Sequence, residues 1–143
     1  MLDSGPLGLL VHPVRGAESV EWAERLINSG VELVIPEIID YELRRELLRL
    51  GHRAAIARLD ALGRAWTYAP VTTRVLLRAA QLWAETRKVG RPTAAERALD
   101  IDAILAATAL ELGSAGGDVL VATTNVRHIS RFVPASLWSD VRP

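Results

Sequence analysis

The stretch Val31-Glu32-Leu33-Val34-Ile35-Pro36-Glu37-Ile38-Ile39-Asp40-Tyr41-Glu42-Leu43-Arg44-Arg45 decides the fold. Its first five residues are β-branched or apolar apart from one acid, which is the composition of a short buried strand. Pro36 then opens a second pattern. Ile38, Ile39, Leu43, Leu47 and Leu50 recur with a period near 3.6, which predicts a helix directly after the strand. The same alternation extends outward in both directions. Upstream, Ala17–Asn28 is helical in spacing and ends at Ser29-Gly30, and Pro6–Val11 reads as a short helix behind an apolar stub, Met1-Leu2. Downstream, helices are predicted over Arg53–Leu62, Thr72–Lys88, Thr93–Leu99 and Ile101–Leu112, with strands over Trp66–Ala69 and Asp118–Ala122. Continuously apolar strands separated by helices belong to a parallel sheet covered on both faces. The fold class is therefore α/β, a three-layer α/β/α sandwich with a short, mostly parallel central sheet.

A chain of 143 residues fits a single domain spanning positions 1–143. Half of its residues are hydrophobic and 24% are charged, which excludes a disordered or collagen-like chain. The absence of cysteine excludes disulfides, thiolate nucleophiles and Cys-ligated metal. No apolar run is long enough for a membrane span, and the N-terminus lacks the pattern of a signal peptide, so a cytoplasmic location is expected. Basic and acidic residues cancel at 17 each. Nucleic acid would have to be met by local clusters, and all the basic side chains except Lys88 are arginine, whose fork matches phosphate.

In an open parallel sheet, chemistry gathers where the strands' carboxyl ends meet helix starts. Several carboxylates stand at such places. Asp3 follows the first apolar stub and reads equally as a helix cap. Glu42 shares a helix face with Ile38 and Ile39, on the shoulder of the buried stripe, unless it pairs with Arg45 at i+3. Asp40 points about 200° away from Glu42 at roughly 100° per residue, so the two cannot serve one site. Asp102 begins the face Asp102, Leu105, Ala106, Ala109, where an acid in a first turn also complements the helix dipole. Asp100 joins Asp102 only if it caps that helix. The strand ending at Thr123-Thr124-Asn125 is followed by Arg127, His128 and Arg131, a polar turn or a carboxyl-end site.

Asp3, Tyr41-Glu42-Leu43-Arg44-Arg45, the run from Asp102 to Leu110, and Thr123-Thr124-Asn125-Val126-Arg127-His128, in that order, resemble the PIN domain, and within it the VapC-type toxins of toxin–antitoxin pairs. The resemblance implies a metal-dependent endoribonuclease in which Asp3, Glu42 and Asp102 hold Mg2+ or Mn2+ and hydrolyse RNA. Hard divalent cations suit such oxygen ligands, and they neutralise charge developing on a scissile phosphate. The family's fourth acidic position carries Asn125, whose amide oxygen could ligate weakly, and Asp100 is a possible substitute. Asp118 begins its strand some 17 Å from the carboxyl end, taking about 3.3 Å per residue, and is too remote. Thr124, Asn125, Arg127, Arg44 and Arg45 are candidate substrate contacts. A cognate antitoxin, a homodimer and no membrane are the implied partners. The alternative is a PIN-like module that binds RNA or protein without cutting. Only Met1 and Leu2 precede Asp3, where the family has a fuller first strand, so that strand is either truncated or continued upstream.

Other features carry less. His12, His52 and His128 lack a metal-ligand spacing, and His128 reads as a surface or capping residue. The four tryptophans lie among apolar neighbours. Gly113–Gly117 precedes a strand, so it is no phosphate loop. Asp100-Ile101-Asp102 is superficially similar to the paired aspartates of haloacid-dehalogenase-like phosphatases, but lacks the strand they require.

Overall fold

A computed structural model describes residues 1–88 and 96–143. The helices are α1 (Ser4–Val11), α2 (Ala17–Asn28), α3 (Glu37–Leu50), α4 (Arg53–Ala65), α5 (Thr73–Lys88), α6 (Glu96–Ser114) and α7 (Val126–Ile129). The strands are β1 (Val34–Pro36), β2 (Thr67–Ala69), β3 (Val121–Thr123) and β4 (Ala135–Leu137).

β1 pairs with β2 and β3 with β4, both in parallel. One residue joins the two ladders. The Leu2 N–H donates to the Val34 carbonyl at 2.9 Å, while the Asp3 N–H donates to the Ala122 carbonyl at 3.0 Å and the Ala122 N–H to the Met1 carbonyl at 2.9 Å. The parallel order is therefore β2-β1-Leu2-β3-β4, with the apolar stub as its central strand and the helices as outer layers. This is the α/β/α sandwich that the alternating pattern predicts. Leu2, Leu7, Ile35, Ile39, Leu59, Leu105, Val121 and Ile129 are buried in one core. Trp22 lies in it too, edge-on to Trp138 at 5.4 Å, with its indole N–H on the Val141 carbonyl.

Differences from the sequence reading have local causes. α1 starts at Ser4 rather than Pro6, because the Asp3 carboxylate accepts the Ser4 N–H at 2.6 Å and caps the helix there. α4 passes through Gly63, since a single glycine in a helix costs only about 1 kcal/mol against alanine. The helices predicted over Thr93–Leu99 and Ile101–Leu112 are one helix from Glu96 onward, with no glycine or proline to divide it until Gly113. Residues 93–95 lie outside the described residues. β3 starts at Val121 rather than Asp118 and includes Thr123. β4 was not anticipated: three residues with a central serine present no alternation to read.

Candidate active site

Asp3 stands at the carboxyl end of the central strand, and it and Glu42 act electrostatically on Asp102 of α6. Asp3 leaves the Leu2 bridge and caps α1. Its second oxygen accepts the Thr123 hydroxyl at 2.6 Å, and the Thr123 oxygen in turn accepts the Asn125 N–H at 2.9 Å. Thr123 is completely buried. Its one proton is committed to Asp3 and its lone pair to the backbone, so the hydroxyl fixes the carboxylate's orientation and keeps it the acceptor.

Asp102 projects from α6 and is half-buried. Its Oδ2 lies 3.4 Å from Arg131 Nη2 and 3.8 Å from His128 Nδ1. Burial pushes its pKa from 3.8 up to about 6; the His128 and Arg131 charges oppose the rise, and the negative charges of Asp3 and Glu42 add to it. Asp3 and Glu42 thus each lie within electrostatic reach of Asp102. Glu42, on α3, is half-buried and has no hydrogen bond or ion pair among the described residues. Arg45 does not pair with it and instead stacks over Tyr41 at 5.5 Å.

The other candidates separate. Asn125 and Thr124 are exposed at the mouth of the cluster, and Arg127 is exposed on α7. Gly5 lies under Thr124: a Cβ at position 5 would overlap the Thr124 side chain and come to 3.0 Å from its Cβ. Arg44 is committed elsewhere. Its guanidinium clamps buried Asp40 at 2.6 and 3.1 Å and reaches Asp60 at 2.8 Å, and these bonds raise its pKa beyond an already high value. Asp40 thus stands apart from Glu42, as the helix geometry requires. Asp100 is inside α6 rather than at its cap, so it turns away from Asp102 and lines a groove with Leu76, Ala79, Ala80 and Trp83 of α5. The structure does not bring Asp100 into the cluster. Asp118 lines a cavity of about 630 Å³ with Glu32 and Thr67, at the amino ends of the strands.

Sequence reasoning named Thr123 in the strand-end motif without giving it a role, missed Gly5 and set His128 aside. Thr123 carried a usable signal, a hydroxyl closing an apolar strand; the approach of Thr124 to Gly5 carried none.

The family comparison agrees with this architecture. A model of the PIN domain matches residues 8–132. The chain belongs to the PIN-domain family. PIN domains are α/β proteins and generally metal-dependent nucleases, which typically use divalent ions. No curated protein matches the chain. The PIN match begins after Asp3, so that residue's place in the site rests on geometry.

The donor set of this PIN domain fits a hard divalent cation. Asp102 is half-buried and held toward its neutral form by burial and by the negative charges of Asp3 and Glu42, and a cation relieves that cost. Among the described residues no three His, Asp or Glu side chains form a direct metal-ligand group. A Mg2+ ion is commonly held by one or two carboxylates and retained waters, so it does not need a group of three direct ligands.

Proposed function

We propose that this PIN domain is a metal-dependent endoribonuclease and the toxin of a VapC-type toxin–antitoxin pair. The observation that supports the reading is half-buried Asp102, held toward its neutral form by burial and by the negative charges of Asp3 and Glu42. Asp3, Glu42 and Asp102 would hold Mg2+ or Mn2+. When bound, the ion supplies Lewis acidity at the scissile phosphodiester. In hydrolysis a water oxygen bonds to phosphorus while a bridging P–O bond breaks. Thr123 fixes the aim of Asp3, and Glu42, with neither hydrogen bond nor ion pair among the described residues, is available to orient or deprotonate the attacking water. Arg127, Thr124 and Asn125 line the mouth where a single-stranded substrate would enter, with Arg45 a further phosphate contact.

The reading extends to one domain over residues 1–143, a cytoplasmic location, an antitoxin partner and a homodimer. Exposed Leu48 and Leu50 on α3, and Leu76 and Leu77 on α5, supply apolar surface for such partners. Among the described residues no helix is long and apolar enough to cross a membrane.

The test is cleavage of single-stranded RNA with Mg2+ or Mn2+ by the wild type, Glu42→Gln and Asp102→Asn, alongside their melting temperatures. Loss of cleavage with unchanged or higher melting temperature supports the assignment; retained cleavage with lower melting temperature overturns it. A second reading, a module that binds without cutting, is favoured by Asn125, which leaves the site one negative charge poorer. Calorimetric titration with Mn2+ separates the two, since a pure binding module gives no site-specific heat.

A further inference from the structure

Asp102 Oδ2 faces an arginine and a histidine of its own chain. Arg131 Nη2 stands 3.4 Å from that oxygen and His128 Nδ1 3.8 Å from it. Both side chains come from the segment after β3, which also carries Asn125. The Arg131 guanidinium lies 4.7 Å over the Phe132 ring, and three quarters of its side chain is covered. The guanidinium is thus held against an aromatic face, with one edge toward the carboxylate.

We propose that Arg131 is a built-in counter-ion that covers Asp102 while the site is metal-free, and that a divalent ion displaces it toward the substrate phosphate. The inference rests on the nuclease reading above. A contact of 3.4 Å is long for a charge-assisted hydrogen bond, which settles near 2.7–2.9 Å, so the hold is loose. A divalent ion binds oxygen at roughly 2.0–2.6 Å, closer than the guanidinium comes, and repels it. The Phe132 face gives the displaced side chain a surface to pivot on. Once released from Oδ2, a guanidinium presents its fork of donors to phosphate oxygens, a match that lysine does not reproduce. Arg131 then changes role with metal occupancy: it neutralises Asp102 before the ion arrives and grips RNA afterwards.

The experiment uses the full chain stripped with a chelator and titrated calorimetrically with Mn2+, without RNA. Arg131→Gln should tighten Mn2+ binding about two- to fivefold, the equivalent of losing a partly exposed ion pair. Arg127→Gln removes the same charge from the same segment without a contact to Asp102 and should change the affinity by less than half as much. In the wild type, the Arg131 Nε–H signal in nitrogen-15 NMR should shift on adding Mg2+, a readout that needs no variant. Equal affinities for Arg131→Gln and Arg127→Gln, with a motionless Arg131 signal and a Mn2+ heat abolished by Asp102→Asn, overturn the counter-ion role and leave the nuclease reading intact. Absence of any site-specific heat in the wild type overturns both.

Discussion

Thr123 Oγ1 donates to Asp3 Oδ2 at 2.6 Å, a bond between residues 120 positions apart that ties the end of β3 to the end of the central strand. It is buried on the threonine side, and through it a strand hydroxyl sets the direction of a candidate metal-binding oxygen. Thr123→Val keeps the shape and removes the proton. The Asn125 N–H loses its acceptor at the same time, so denaturant unfolding should show a loss of about 1–3 kcal/mol. RNA cleavage should fall at least as far as folding alone explains and then further, and Thr123→Ser should restore most of both.

Asp102 carries a pH dependence of unusual sign. Its folded pKa, about 6, lies above the unfolded value of 3.8, so between these values the folded chain binds the extra proton. Stability from this group is complete below about pH 4 and falls as pH rises to about 6. In chelator, Asp102→Asn should therefore melt with the wild type near pH 4 and above it at pH 7. Adding Mn2+ at pH 7 should raise the wild-type melting temperature and leave that of Asp102→Asn nearly unchanged. A wild type that melts higher than the asparagine variant at pH 7 without metal contradicts the assigned cause.

Gly5 is required by its neighbour rather than by its backbone angles. Gly5→Ala should destabilise the chain by about 1–3 kcal/mol through overpacking against Thr124. Thr124→Ala removes the atoms in closest conflict, so a double-mutant cycle should return a coupling of at least about 0.5 kcal/mol. Additive effects would show that the two positions do not touch in solution.

Arg44 and Arg127 separate structure from substrate contact. Arg44→Gln strips a partner from buried Asp40 and should cost about 1.5–3 kcal/mol, the range for hydrogen bonds to charged groups. Arg127→Gln should leave unfolding within about 0.5 kcal/mol, as for most surface changes, yet weaken binding of single-stranded RNA and flatten its salt dependence. Equal RNA-binding losses for the two variants would return Arg44 to the substrate surface.

Much of this arrangement was legible because its signals are local. The period of Ile38, Ile39, Leu43 and Leu47 placed α3, and the same rotation placed Glu42 at the edge of the core and Asp40 opposite. The α/β/α class followed from apolar strands between helices. What escaped depends on distant meetings. β4 is too short to alternate, and Thr124 over Gly5 is a contact between chain segments that no spacing encodes. Asp100 was a matter of one helical boundary: with α6 already formed at Glu96, it cannot be a cap. Arg44 was read as a substrate contact although Asp40, one turn earlier on the same helix, is its nearest partner; only the second partner, Asp60, lies on the next helix.

The sheet's two halves share a single stitched residue, Leu2, and Asp3 sits immediately beyond that stitch. A strand this brief has little length to hold its register, and a one-place slip would turn the Asp3 carboxylate to the opposite face. Fraying at this seam would disarm the chemistry while every helix still stood, so loss of cutting on heating or in mild denaturant should run ahead of the fall in helical ellipticity.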